Sequence, residues 1–209
     1  MPPPSRLAES SAPPAPPDPA ALPQAQLERR RRIVAAAIVL IGRDEYDAIQ
    51  MRDVAREAGV ALATIYRYFT SKEHLYAAAL VEWAADYPLT NRAGARPAHT
   101  PEARVRALMR RAVRAFERQP QLMRALIVLE SSNDENARAL FEQFANQNTS
   151  TLMDALAGLE PTTAAGIVAT ANSVMVTRLR AWALGRCSIR DVDRSVQTAL
   201  DLIFSKPPA

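Results

Sequence analysis

The strongest constraint on this chain lies between Met51 and Lys72, where two short helical patterns are separated by one glycine. Val54, Ala55 and Ala58 make one apolar face, and Leu62, Ile65 and Phe69 make a second at i, i+3, i+7 spacing. Gly59 stands where a tight helix-to-helix turn needs a residue that tolerates positive φ. Ala55 is small where a second helix must cross closely over the first. The spacing predicts a helix-turn-helix over 51–58 and 62–69, with a second helix suited to a DNA major groove.

The rest of the chain is helical in pattern. Glycine is scarce, with 6 in 209 residues, apolar residues make up 48%, and no long alternating run of Val, Ile or Thr appears. An all-α protein follows, with a small N-terminal three-helix domain and a larger helical body. The net charge of +4 suits an anionic partner but is weak evidence alone, because many enzymes are equally basic. Cys187 is the only cysteine, so an internal disulfide is ruled out and a reducing cytoplasm fits. The longest uncharged stretch, Thr162 to Thr177, is shorter than the roughly 20 residues that span a bilayer, so no membrane partner is expected.

Residues 1–26 hold nine of the sixteen prolines and read as a disordered tail. Residues 27–87 read as the DNA-binding domain and 88–209 as a helical ligand-binding and dimerisation domain. The first helix carries Arg29, Arg30, Arg31 and Arg32 ahead of the stripe Ile33, Ala37, Leu40 and Ile41. Cations at a helix start oppose the macrodipole, so this cluster suggests nearby phosphate, with a solvated face as the alternative. Ser71 predicts a cap for a helix from Lys72 to about Asp86, ended by Tyr87-Pro88. Residues 88–99 read as a connector. Further helices are expected from Thr100-Pro101, from Pro120, from Ser132–Glu135, from Thr162 to Leu184, and from the Ser188/Asp191 capping box. The Thr162–Leu184 helix is apolar over most of its circumference and is economically buried in a dimer interface.

On the second helix of the motif, Ala63, Thr64, Tyr66, Arg67 and Tyr68 remain for the outer face. Hydroxyls of Thr and Tyr donate to phosphate, small Ala63 permits close approach to base edges, and Arg67 suits a guanine or a phosphate. Packing into the core is the alternative for Tyr66 and Tyr68. Lys72 stands at a helix N-terminus, where free amides already favour an anion. Arg52 is placed to reach a base or a phosphate.

The run Gly59-Val60-Ala61 through Tyr66-Arg67-Tyr68-Phe69, then Ser71-Lys72-Glu73-His74-Leu75, resembles the DNA-binding domain of TetR-family transcriptional repressors. The resemblance implies phosphate contacts by Thr64, Tyr66, Tyr68 and Lys72. It also implies a homodimer whose last two helices pair into a four-helix bundle, and a ligand cavity in the larger domain. One departure is Ala61, where many members have a capping Ser; its loss costs about 1 kcal/mol. Gln50-Met51-Arg52, Leu62 to Phe69, and Ala181-Trp182-Ala183-Leu184 with Asp191-Val192 are similar to actinobacterial repressors of cholesterol catabolism. That similarity implies a steroid acyl-CoA thioester as effector.

Met109, Phe116, Met123, Leu126, Phe141, Phe144, Met175 and Trp182 are the candidate cavity lining, with ordinary core as the alternative. Arg104, Arg106, Arg110, Arg111, Arg114 and Arg118 either meet the phosphates of a CoA-type ligand or form a solvated face. An enzyme finds no support: His74 and His99 are isolated, and no cofactor loop, metal-ligand cluster or catalytic set is visible. The expected function is a repressor that binds a palindromic double-stranded DNA operator as a dimer and is released by a small hydrophobic or acyl-CoA effector. An activator, or a structural DNA-binding protein without effector, is the alternative.

Overall fold

The computed structural model describes residues 16–86 and 100–205. The tail through residue 15, the connector 88–99 with Tyr87 before it, and His99 at its end lie outside the described residues. The described residues form nine α-helices and no β-strand.

The first helix, α1 (Gln24–Arg43), begins directly after Pro23. Ahead of it, Pro19–Ala21 form a 3-10 turn in which the Asp18 carboxylate accepts from the Ala20 N–H at 2.9 Å. The expected tail of 1–26 is therefore too long at its inner end. A proline preceding a helix removes no hydrogen bond from it, so prolines here do not exclude order. The earlier start also corrects the reading of the arginine run. Arg29 to Arg32 lie beyond the first turn, where the helix dipole has faded. Arg30 turns inward, its guanidinium 5.1 Å from the centre of the Phe69 ring, while Arg31 and Arg32 are exposed.

The helix-turn-helix forms as its spacing requires. Between α2 (Met51–Ala58) and α3 (Leu62–Tyr68), Gly59 has φ +64°, and the Val60 N–H donates back to the Ala55 carbonyl at 3.0 Å. That closure suits glycine because a Cβ penalises positive φ. Ala61 leads into α3 in an extended conformation with no side-chain cap. Next comes α4 (Lys72–Asp86), where the Ser71 hydroxyl accepts from the His74 N–H at 2.9 Å.

In the larger part, α5 (Pro101–Arg118) is capped by Thr100 and followed by α6 (Pro120–Glu130). Asp134 caps α7 (Glu135–Ala155), Glu160 caps α8 (Pro161–Ala183), and the Ser188/Asp191 box opens α9 (Ile189–Phe204). Two of the arginines on α5 are structural rather than ligand-facing. Arg106 bridges Glu102 at 2.8 Å and Asp201 of α9 at 2.7 Å, and Arg104 donates to the Ala155 carbonyl at 2.7 Å.

The helix α4 joins the two parts. It packs on α1 in the head and on α6 and α7 in the body. Every residue from His74 to Leu80 is buried, so no face of this stretch meets solvent. At its start the backbone is tied across the parts. The Thr70 N–H donates to Nδ1 of His74 at 3.1 Å, and the Thr70 hydroxyl donates to Asp134 at 3.1 Å. Asn136 in turn donates to the Thr70 hydroxyl at 3.2 Å.

His74 is 6% exposed and accepts rather than donates at Nδ1. Burial pushes its pKa down from 6.5 to about 4, with Arg30 adding to the fall and Asp134 opposing it. Between those values only the unfolded chain binds the proton, so acidification lowers stability across this window and adds nothing further below it. His74→Asn keeps an acceptor without the titration. Urea midpoints measured from pH 7 to 4 should fall less steeply in the variant, with wild type losing at most about 3 kcal/mol more. At the other weak point, Ala61→Ser should raise stability by about 1 kcal/mol in the same assay by capping α3.

Candidate nucleic-acid interface and cavity

The seven residues of α3 are sorted by what lies beneath them. Ile65, Tyr68 and Phe69 are buried against the head, while Ala63, Tyr66 and Arg67 are exposed and Thr64 is half-buried. Two positions differ from the periodicity reading. Leu62, expected in the core, is 40% exposed, and Tyr68, expected outside, is 1% exposed. Leu62 is the first residue of α3, at the end of the helix. With Leu62 outside, the buried arc rotates to take in Tyr68 beside Ile65. Tyr68 is thereby corrected from a DNA-facing residue to a core residue that shapes the surface from below. Its hydroxyl accepts from Arg67 at 2.9 Å, and the same guanidinium lies 5.1 Å from the ring centre. Arg67 is held along the helix by this contact, which limits the rotamers it loses on meeting an anion.

The outer face thus presents a methyl at Ala63, hydroxyls at Thr64 and Tyr66, and a guanidinium at Arg67. Tyr66 is 52% exposed, so its hydroxyl and ring edge are accessible from outside. Arg52 is exposed in the first turn of α2, on the adjoining helix.

Lys72 is not simply free at the N-terminus of α4. Its ammonium donates to the Tyr46 carbonyl and lies 4.0 Å from the centre of the Tyr46 ring. Burial lowers its pKa, with Asp47 and Glu73 opposing the shift. Tyr46 comes from a 3-10 turn, Tyr46–Ala48, that the helical pattern does not reveal, and its ring packs edge-on to Tyr76 at 5.2 Å. A phosphate approaching Lys72 would compete with a carbonyl for the same ammonium.

In the body, two neighbouring spaces share lining residues: the first lies between α4, α5, α7 and α8, the second between α5, α6, α7 and α8. An apolar slot of about 50 Å³ is walled by Trp83, Met109, Phe116, Leu152 and Met175. A chamber of about 470 Å³ adjoins it and is lined by Met123, Leu126, Phe141 and Arg180. Phe116, Phe144 and Met175 line both, as do Asn148 and Asn172, which face the junction. Seven of the eight expected lining residues are brought together here. Trp182 is the exception: it lines neither space and packs half-buried against the core near the end of α8. Trp83 supplies the indole instead, because α4 forms one wall. The amides of Asn148 and Asn172 escape a reading that follows apolar residues, although Asn148 lies one turn from Phe144 on the same face. At the chamber edge Arg180 pairs with Glu130. The arginines of α5 line neither space.

Among the described residues no helix is long and apolar enough to cross a membrane, and no group of three His, Cys, Asp or Glu side chains is placed to hold a metal.

Comparison with known proteins places both parts. Residues 33–79 match the model for bacterial regulatory proteins of the tetR family, and residues 98–203 match the tetracyclin repressor-like C-terminal domain. The HTH-type transcriptional repressor KstR of Rhodococcus jostii is 34% identical over 86% of this chain and 84% of its own length. KstR of Mycobacterium tuberculosis is 34% identical over 87% of this chain and 83% of its own. Among solved structures, a TetR transcriptional regulator from Rhodococcus sp. RHA1 superposes with a TM-score of 0.73 at 26% identity, covering 86% of this chain and 97% of that one. The regulator FadR from Bacillus subtilis, in complex with stearoyl-CoA, shares the fold with a TM-score of 0.58 at 18% identity, over 84% of this chain and 97% of that one. With both its reading head and its body matched, and repressors as relatives over most of its length, this chain belongs to the TetR family of DNA-binding transcriptional repressors.

Proposed function

We propose that the protein represses transcription as a homodimer on a twofold-symmetric operator and is released when a small hydrophobic or acyl-CoA-type effector fills the cavity between α4, α5, α7 and α8. The observation that carries this reading is the sharing of α4. Its first residues follow the recognition helix, and its Trp83 walls the slot. A ligand entering the slot therefore presses on the helix from which the reading head hangs. The apolar walls suit a hydrocarbon portion, and Asn148, Asn172 and Arg180 suit polar groups along it. A structural DNA-binding protein would have no use for such a space.

On the DNA side, Thr64, Tyr66 and Lys72 take phosphates, Ala63 and Arg67 approach base edges, and Arg52 adds a contact from α2. Twofold symmetry would set two copies of α3 in successive major grooves, with half-site centres about 34–36 Å apart or a multiple of that spacing. The last two helices are the proposed dimer surface. Ala165, Ala169, Ser173 and Thr177 are exposed on α8, and Leu202 of α9 is 73% exposed. Small side chains let two helices approach closely, and burying Leu202 alone is worth about 1.5–3 kcal/mol. Working on DNA, such a regulator belongs to the cytoplasm.

Genomic footprinting of the full chain should return one palindromic motif, and the genes beside it narrow the effector. A coupling of roughly 1–3 kcal/mol between effector and operator suffices for release. Binding spread evenly over all sequences with a steep salt dependence would instead support the structural alternative. Lys72→Ala should weaken binding to every sequence and lower the salt slope by about 1; an unchanged slope removes Lys72 from the phosphate contacts.

A further inference from the structure

We propose that Asp134 and Asn136, at the start of α7, clasp Thr70 behind the recognition helix and make α7 a second, direct line from the cavity to the reading head. The inference rests on the reading of the cavity as an effector site and adds a route that bypasses the bending of α4.

Three features of the geometry support it. The Asp134 carboxylate divides its oxygens between two parts of the molecule. One accepts from the Ala137 N–H at 2.9 Å and caps α7; the other accepts from the Thr70 hydroxyl at 3.1 Å. Asn136 completes the Thr70 hydroxyl as a donor at 3.2 Å, so that hydroxyl is used in both directions by the body. Thr70 in turn is fixed in the head, since its N–H donates to buried His74, whose ring packs edge-on to Phe69 at 5.3 Å. Phe69 closes the end of α3. The contact is thus polar and directional at both ends, and a small shift of α7 exchanges good hydrogen bonds for bad ones rather than sliding apolar surfaces past one another.

At its far end the same helix is cavity wall. Phe144 and Asn148 line both spaces and Leu152 lines the slot. From the clasp to these residues is roughly 12–27 Å along one unbroken helix, at 1.5 Å per residue. A ligand that displaces the wall displaces Asp134 with it. The Asp134 carboxyl is raised by burial, and the hydrogen bonds from Ala137, Ser71 and Thr70 outweigh this and hold it below its usual range. It therefore stays an ionised acceptor at neutral pH, which strengthens both of its bonds.

Positioning of this kind is tested without knowing effector or operator, by amide hydrogen exchange on the full chain. Leu152→Ala and, as a gentler change, Asn148→Leu perturb the cavity wall from within. Either should speed exchange of the Phe69–Leu75 amides at least about threefold relative to α9. In a Thr70→Val background the same wall substitution should change those amides by less than about 1.5-fold. Asp134→Asn keeps one acceptor oxygen to cap α7 and turns the other into an amide donor that the Thr70 oxygen can accept from, so it should preserve more of the transmission than Asp134→Ala. Wall substitutions that leave the Phe69–Leu75 amides untouched, or that act equally with and without the Thr70 hydroxyl, overturn the clasp as a line of transmission. Either result leaves operator binding and release to be judged by footprinting, so failure of the clasp and failure of the regulatory reading are separate outcomes.

Discussion

The burial of α4 on every side is the constraint from which the remaining arrangement follows. A helix in water normally keeps a polar stripe for solvent, but from His74 to Leu80 this one keeps none. Its neighbours must therefore come from both parts of the chain, with α1 on the head side and α6 and α7 on the body side. Ala77, Ala78 and Ala79 make the close approach sterically feasible. Interiors packed at crystal-like density transmit displacement instead of absorbing it. Head and body consequently share one core, even though they read as separate domains in the sequence.

That shared core explains which parts of the protein were legible from residues alone. Helix starts were, because caps and prolines act within a few residues: Thr100-Pro101, Ser71 and Ser188 with Asp191 each open the helix they predict. Gly59 was, because positive φ is a local demand. Facing was not. Leu62 and Tyr68 exchange roles because a helix of seven residues meets its neighbours at its ends as much as along its stripe. Periodicity assigns a residue to a stripe and does not say where the partner helix stops.

The same limit applies to the cavity. Phe116, Phe144 and Met175 could be found by looking for large apolar residues on the middle helices. Trp182 was expected in the cavity, whereas Trp83 lines the slot in its place, since α4 serves as a wall and the Trp182 ring packs against the core instead. The stretch 132–135 was legible as a helix start, but Asp134 was not legible as a bridge, because its second oxygen finds a partner sixty-four positions away in sequence. Tyr46 was silent in the pattern, yet it receives Lys72. Long-range polar pairs leave no periodic trace.

The length of α3 carries a consequence of its own. A helix of seven residues, uncapped at Ala61, is far below the length at which a peptide holds helical form in water. It exists because Ile65, Tyr68 and Phe69 are pinned beneath it. The shape that reads DNA is thus borrowed from the core and is not a property of the segment. Loosening those three side chains would dissolve the helix itself, so its stability is set by the packing beneath it and not by its own sequence.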